Sequence, residues 1–357
     1  MEIKKISLLD YQEILALTKK NDLDILNEKE WKSLWLDNPY YNDVKGEWTI
    51  GWKAVSENKI VGVTLNIPFI FLFNGQKYLA AVCNNYVVDK EHRNISLNLR
   101  YHFLNQQKVD LCITNSANKA SEKIMEAFKA RKIEQYDYQN RLIYLINKKK
   151  VILNSIKNFN FEFRKIPIFF KSFFNKKNKE PKKKFSFEII NNFDDDFKNL
   201  DSKLSKSGKI FSSKDQNWLS WKYSKYIKTQ NLITLKIYKE KTFLGFAVLI
   251  KNIEKKYNFK RLSLTELTLF DEEPLALRSI INHCLQIGKN INFDLVDVVG
   301  FNKKKRKELE NIGFIKKKSE NFNFLMKNNN KNLDKILYND IHISDFSLTD
   351  GDGIFYL

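Results

Sequence analysis

The spacing of apolar residues switches along the chain between the period of a helix and that of a strand. Residues 8–19 place apolar side chains three and four positions apart, as on one face of a helix. Apolar runs bounded by turn residues such as Asn74-Gly75 predict strands. The predicted elements of the first half are a strand, two helices, an antiparallel meander of three strands, a helix, a strand, a helix and a β pair: 2–7, 8–19, 27–36, 48–55, 60–73, 77–88, 96–107, 109–114, 117–129 and 133–147.

The second half repeats this order with almost no sequence identity. A tryptophan pair precedes each meander, Trp31 and Trp35 in the first half and Trp218 and Trp221 in the second, and we expect all four to pack in a core. The predicted elements again end in a β pair: 185–190, 193–204, 232–238, 243–250, 261–270, 275–288, 293–299, 303–312 and 314–326. A duplicated α/β unit accounts for the length of 357 residues.

A run of lysines around Pro181 separates the two halves. Like charges in such a run repel one another and cannot be buried, which predicts an extended linker. The predicted division is therefore a domain, a basic linker, a second domain and a C-terminal tail: 1–150, 151–184, 185–327 and 328–357.

The composition excludes several classes of protein. With 43% hydrophobic and 14% aromatic residues, the chain can build real cores, so wholesale disorder is excluded. The apolar run 67–73 is far shorter than the roughly 20 residues of a membrane-spanning helix, and no apolar signal core follows residues 1–5. We therefore expect no transmembrane segment and a cytoplasmic location. The three cysteines lack CxxC spacing and the four histidines are scattered, so neither disulfides nor a metal site is expected.

The formal net charge of +20 has two interpretations. Lysine-rich faces can simply be solvated surface. Alternatively, the charge attracts polyanions, which include nucleic acid, anionic lipid and phosphorylated small molecules. Charge alone does not choose among these partners.

The segment 86–98 leads from the last strand of the first meander through an acidic turn to Arg93 and a helix. Together with the repeated order of elements, it resembles the tandem GNAT (Gcn5-related N-acetyltransferase) fold of bacterial acyltransferases in surface-polysaccharide and amino-sugar pathways. The resemblance implies an α/β (α+β) fold of two GNAT-like domains, each a mixed, mostly antiparallel central sheet flanked by helices. It also implies an N-acyltransferase that uses acetyl-CoA or another acyl-CoA.

The resemblance implies a cofactor site in the first domain. The family binds pyrophosphate on a turn of pattern Q/R-x-x-G-x-G/A, and Ser96 and Asn98 stand at its glycine positions. The implied cofactor-binding residues are Val87, Val88, Arg93, Asn94, Ser96, Asn98 and Asn118. Helix capping is the alternative role for Asn118. In the second domain the acids and the proline of segment 271–274 disfavour a pyrophosphate, so that domain is expected to be degenerate.

The candidate catalytic residues lie in and just after the strand that precedes this turn. Asn84, Asn85 and Tyr86 interrupt an apolar strand, which indicates either a cavity wall or a bulge. Backbone amides there would stabilise the thioester oxyanion. His92 is suited to proton transfer near neutral pH.

The C-terminal segment offers carboxylates for an acceptor. Residues 345–353 resemble a Gly-Asp-x-Asp motif of tandem GNAT-like sugar-modifying proteins, and Asp350 and Asp352 are the implied substrate-binding residues. We expect them beside Asn84, where they would meet the ammonium of an amino sugar or nucleotide sugar used in surface-glycan synthesis. Two alternatives stay open: a FemABX-like transferase that uses aminoacyl-tRNA, and a GNAT-like binding module without catalysis.

Overall fold

The computed structural model describes residues 1–44, 48–132, 140–151, 185–254, 258–318, 324–333 and 345–357. Nearly all of the predicted basic linker, at 152–184, lies outside the described residues, so the boundaries of the four parts stay predictions. Within the described ranges, no helix is both long enough and apolar enough to cross a bilayer.

The described strands form two sheets. The first has eight strands, with β1 to β6 and β15 in the order β1-β2-β3-β4-β5-β15-β6 and β9 pairing beside β3. Its strands are β1 (Glu2–Lys5), β2 (Gly51–Ser56), β3 (Lys59–Phe73), β4 (Gln76–Val88), β5 (Leu111–Thr114), β6 (Arg131–Lys132), β9 (Phe211–Ser212) and β15 (Leu325–Asn328). The helices around it are α1 (Tyr11–Lys20), α2 (Glu28–Leu36), α3 (Pro39–Val44), α4 (Ser96–Leu104) and α5 (Lys119–Ala127). We call this sheet and its helices the first lobe.

The second sheet has seven described strands in the order β14-β7-β13-β12-β11-β10-β8. They are β7 (Asn140–Leu145), β8 (Ser186–Ile190), β10 (Leu232–Lys239), β11 (Thr242–Glu254), β12 (Phe259–Leu269), β13 (Leu295–Val298) and β14 (Ile315–Lys318). Its helices are α6 (Leu200–Leu204), α7 (Gln216–Lys222), α8 (Ser224–Lys228), α9 (Pro274–Asn290) and α10 (Lys303–Ile312). This is the second lobe.

The two halves of the chain exchange strands, which corrects the predicted β pairs. The pair expected at 314–326 is wrong, because β14 pairs with β7 in the second sheet whereas β15 pairs with β5 and β6 in the first. Likewise, β7 lies antiparallel to β13, so the described part of 133–147 contributes to the second sheet. Apolar alternation identifies a strand and its buried face, but it does not specify which distant strand becomes the partner.

Aromatic side chains hold the lobes together. Trp31, Trp35 and Trp218 are fully buried and Trp221 nearly so, in one core cluster that spans both lobes. Trp218 packs edge-on against Phe69 of β3, with ring centroids 4.7 Å apart. The indole N–H of Trp221 donates to the carbonyl of Ser33 in the other lobe at 2.9 Å. The tryptophan pairs therefore pack in a core, as expected, and that core joins the two lobes.

The C-terminal segment, residues 345–357, folds back between the lobes. The ring of Phe346, in this segment, stacks on the ring of Phe324 with centroids 4.7 Å apart. Two short 3₁₀ helices follow, Leu348–Asp350 and Asp352–Tyr356. Between them, a Cβ at Gly351 would lie 2.2 Å from the Asn115 side chain, so only glycine allows this close approach.

Candidate functional site

The central strands of the first sheet diverge where the polar strand residues lie. Strand β4 pairs in parallel with β5 over only three residues, ending at Val82 opposite Ile113, while β4 itself continues to Val88. Against β3, Asn85 and Tyr86 together oppose Thr64, which is a β-bulge, and Asn85 has a left-handed φ of 43°. We call the region where these strands part, between residues 83–88 and residues 115–117, the first cleft.

A carboxyl group from the C-terminal segment lies in the first cleft. Asp352 is 6% exposed; Ser116 donates to its Oδ1 at 3.2 Å and the Nδ2 of Asn84 to its Oδ2 at 3.4 Å. Burial raises the pKa of the Asp352 carboxyl to about 7, while the bonds from Ser116 and Asn84 and the charge of Arg100 limit the rise. The group can therefore gain and lose a proton near neutral pH.

The end of the C-terminal segment covers the bulge. The Tyr356 hydroxyl lies 2.7 Å from Oδ1 of Asn85 and 3.1 Å from Oδ1 of Asn84. Asn85 also donates through Nδ2 to the carbonyl of Asp24 at 3.2 Å. Tyr356 remains 37% exposed, so this side of the cleft faces solvent.

The second lobe has an equivalent opening with different chemistry. Strand β12 pairs in parallel with β13 up to Leu264 opposite Val298 and continues to Leu269, with Thr265 as the extra residue of a bulge. We call this opening the second cleft. Glu266 stands two residues beyond the last parallel pair, as Asn84 does in the first lobe. A cavity of about 250 Å³ opens here, lined in part by Glu266 and Leu267.

The Glu266 carboxylate is neutralised by two buried lysines. Lys214 Nζ lies 2.9 Å from Oε2 and Lys222 Nζ 2.9 Å from Oε1. Burial acts to raise the pKa of Glu266, but the two ammonium groups outweigh it and hold that pKa well below its usual range. A carboxylate that stays ionised in this way cannot serve as a base near neutral pH.

The two carboxylates of the predicted acceptor site are not brought together. Only Asp352 lies beside Asn84. Asp350 instead enters the second cleft, where its Oδ1 is 3.4 Å from Lys214 Nζ and accepts from the Ser212 hydroxyl. The buried lysine draws Asp350 away from the first cleft, because a buried carboxylate needs a cation or several donors.

The fold can be compared with solved structures. No protein-family model and no curated protein matches the sequence. A probable N-acyltransferase from Enterococcus faecalis, described as a conserved protein of unknown function, superposes with a TM-score of 0.56 at 10% identity, over 92% of this chain and 72% of that one. A GCN5-related N-acetyltransferase from Anabaena variabilis gives 0.56 at 10% identity, over 92% and 73%.

Saccharomyces cerevisiae N-myristoyltransferase, solved with bound myristoyl-CoA, matches with a TM-score of 0.53 at 12% identity, over 92% of this chain and 78% of that one. The chain has the GNAT fold. The predicted fold class, two lobes that each have a mixed, mostly antiparallel sheet flanked by helices, is thereby confirmed.

In this GNAT fold the predicted phosphate turn is a 3₁₀ helix, Lys90–Ile95, that runs into α4. Ser96, at a glycine position, has an ordinary helical φ of −54°, so the missing glycines cause no strain. The amides of His92 and Ser96 bond within the turn, to Asp89 and Arg93. The turn is therefore not a glycine-rich loop with free amides at His92 and Ser96, and the side chains that it exposes include Arg93, Asn94 and Asn98.

Other predicted residues have local roles. Asn118 caps α5, its Oδ1 accepting from the amide of Ser121 at 2.9 Å, which is the alternative that the sequence left open. Val87 is buried and Val88 half-buried at the end of β4. His92 is half-buried in the 3₁₀ helix, and its Nδ1 has no hydrogen-bond partner among the described residues.

Sequence reasoning missed Arg100, which is buried beneath the first cleft. Its guanidinium lies 3.7 Å from the Tyr86 ring centroid and donates to the Cys83 sulfur and the Ser121 hydroxyl, each at 2.9 Å. Burial raises the pKa of Tyr86, whose hydroxyl donates to the carbonyl of Ser96 at 3.2 Å. Arg100 lies next to Leu99 on the buried side of α4. A cation among the apolar positions of this helix was the signal in the sequence that could have indicated a buried, functional arginine.

Proposed function

We propose that the protein is an acyl-CoA-dependent N-acyltransferase whose reaction takes place in the first cleft. The observation that carries this proposal is the Asp352 carboxyl, which is buried at the divergence of β4 and β5 and has a pKa of about 7. An amine acceptor must lose a proton as its nitrogen bonds to the acyl carbon. A carboxyl that titrates near pH 7 is suited to receive that proton.

The residues around the cleft divide the remaining tasks. The coenzyme, when bound, supplies the acyl group as an activated thioester. The exposed side chains at the start of α4 would hold its phosphates, with Arg93 adding charge. The proposed cofactor contacts are Val87, Val88, Arg93, Asn94, Ser96, Asn98 and Asn118.

The bulge supports a role in oxyanion stabilisation. A bulged residue leaves the regular ladder, so backbone amides near Asn85 and Tyr86 would be available to a developing negative charge. Asn84 orients Asp352 through its amide nitrogen. His92 stays a candidate for proton transfer from the turn side.

We propose an amino sugar or nucleotide-linked amino sugar of surface-glycan synthesis as the acceptor. The groups near Asp352 support it, since Ser116, Asn85 and Tyr356 offer hydroxyl and amide partners for sugar hydroxyls. The carboxyl attracts the ammonium that must be deprotonated. The resemblance of residues 345–353 to sugar-modifying proteins points to the same class.

Calorimetry and a thiol-release assay test this function. We expect acetyl-CoA or a longer acyl-CoA to bind, and free coenzyme A to appear when an amino sugar is added. Asp352→Asn should lower turnover by about 100-fold or more, as loss of a general base does. Asp297→Asn controls for the loss of a buried carboxylate, because Asp297 lies on β13 in the sheet of the second lobe, where it accepts from Ser263 and pairs with Arg141 at 3.4 Å.

Three results would contradict the proposal. Failure of every acyl-CoA to bind at low salt removes the cofactor. Binding without transfer to any amine indicates a non-catalytic module. Transfer from aminoacyl-tRNA alone, with a steep salt dependence, indicates the FemABX-like alternative.

A further inference from the structure

The C-terminal segment connects the two clefts over a very short stretch of chain. Asp350 contacts the second cleft and Asp352 the first, with only Gly351 between them. A residue that fixes Asp350 therefore also limits where Asp352 can lie.

Lys214 is the centre of the contacts that hold Asp350. It is 5% exposed, and its Nζ lies 3.4 Å from Asp350 Oδ1, 2.9 Å from Glu266 Oε2 and 3.3 Å from the Ser212 hydroxyl. The opposing carboxylates outweigh the lowering effect of burial and raise the pKa of Lys214, so it remains charged. Its three partners come from β12, β9 and the C-terminal segment.

Charge balance makes this docking specific. The buried cluster pairs two lysines, Lys214 and Lys222, with two carboxylates, Glu266 and Asp350. Burial lowers the pKa of Lys222, whereas the pKa of Lys214 is raised, and Lys214 is the ammonium that contacts both carboxylates. Removal of the segment would take from Lys214 one of its two carboxylate partners. Removal of Lys214 would leave Asp350 buried without a cation within ion-pair distance among the described residues. Each change is unfavourable, because an unpaired buried charge is costly.

The connection between the two aspartates is stiff. The Ser347 amide donates to Asp350 Oδ2 at 2.6 Å, and the Thr349 hydroxyl donates to Glu266 Oε1 at 2.7 Å. The Nδ2 of Asn115 donates to the carbonyl of Leu348 at 2.9 Å, and the Asn115 side chain lies against Gly351. Beyond Asp352, the Tyr226 hydroxyl donates to the carbonyl of Ile354 at 2.7 Å. These contacts leave little room for Asp352 to move independently of Asp350.

From this geometry we infer that Lys214 is a positioning residue: its ion pair with Asp350 in the second cleft sets the Asp352 carboxyl in the first. The inference rests on the proposed function for its catalytic meaning. The second lobe then has a role in the reaction that takes place in the first lobe, because it binds the C-terminal segment that supplies the base.

The test compares Lys214→Met with a second buried lysine. Lys236 is 2% exposed and bonds Asp194 and Asp196 at 2.6 and 2.8 Å, in the same lobe and away from the C-terminal segment. Lys236→Met thus controls for the loss of a buried ammonium. The double variant Lys214→Met with Asp350→Asn keeps the cluster neutral, and it guards against misfolding of the single variant.

Two readouts are measured on the full chain. Hydrogen exchange of amides 345–357 should become at least about tenfold faster in both Lys214 variants and stay unchanged in Lys236→Met. Turnover should fall and lose its rise around pH 7 in the Lys214 variants, while the affinity for acyl-CoA is retained.

The outcomes separate the two claims. Unchanged exchange in the folded Lys214 variants overturns the anchoring role. Faster exchange with wild-type turnover and an unchanged pH profile overturns the positioning role. A wild-type chain that transfers no acyl group defeats the proposed function, whereas the exchange data then still decide whether Lys214 anchors the segment.

Discussion

The carboxyl groups of Asp350 and Asp352 lie in different clefts although one residue separates them in the chain. Asp350 meets the Lys214 ammonium of the second lobe, whereas Asp352 meets the Asn84 amide of the first. The first contact neutralises a charge. The second leaves a buried carboxyl whose pKa is raised to about 7. The same segment therefore provides an anchor and an acid–base group.

Asp352→Asn should stabilise the folded protein, and more at pH 8 than at pH 5. The pKa of Asp352 is higher in the folded state than its usual value of 3.8, so ionisation opposes folding. The penalty grows as pH rises from about 4 to about 7 and reaches up to about 4 kcal/mol above that. Thermal melts at both pH values check this. A variant that loses stability at pH 8 would contradict the raised pKa.

Asn85→Ala should destabilise the protein by about 1 kcal/mol more than Asn85→Gly does. Both variants lose the same side-chain contacts, but only alanine carries a Cβ in the left-handed backbone at φ 43°. Denaturant unfolding of the two variants measures the difference. Equal stabilities would show that position 85 does not hold this conformation in solution.

Gly351→Ala should displace the C-terminal segment and lower both stability and turnover. Its added Cβ would lie 2.2 to 2.4 Å from the Asn115 side chain, a contact that some movement must relieve. The double variant with Asn115→Ala should recover part of the loss, because it removes the clashing atoms. If the double variant recovers nothing, the clash with Asn115 is not the cause of the defect in Gly351→Ala.

Much of the fold follows from the sequence, and the reasons differ between elements. The first meander, predicted at 48–88, is observed at 51–88, because turn residues such as Asn74-Gly75 act locally. The helix predicted at 27–36 is observed at 28–36, where the side-chain oxygen of Asn27 caps α2 by accepting from the amide of Glu30. The exchange of β7 and β15 was not predictable, because partner choice depends on packing between distant segments.

The candidate site divides in the same way. The sequence placed polar residues on β4 and carboxylates in a segment with enough apolar residues to fold back. It did not show that Lys214 captures Asp350, nor that Arg100 lies under Tyr86, since both contacts join residues whose proximity is created by the tertiary fold. Asp352 does lie beside Asn84, as expected from the sequence, and we propose its role in catalysis.

Arg93→Ala should weaken acyl-CoA binding about fivefold, or ~1 kcal/mol, and reduce its salt dependence. Arg93 is exposed at the start of α4, where a phosphate would be held by side chains. Titration calorimetry at two salt concentrations measures both effects, with the exposed Lys59→Ala as control. Equal losses in the two variants would mean that the turn is not the phosphate site.

The pH dependence of acyl transfer shows whether Asp352 is the base. Single-turnover rates with saturating acyl-CoA and amine are measured from pH 5.5 to pH 8.5, a window of roughly 1.5 units on each side of the carboxyl's pKa, for the wild type and Asp352→Asn. We expect a wild-type rate that rises through about pH 7 and a variant rate that is at least about 100-fold lower and lacks that rise. Identical profiles with similar rates in the two proteins would show that Asp352 is not the base.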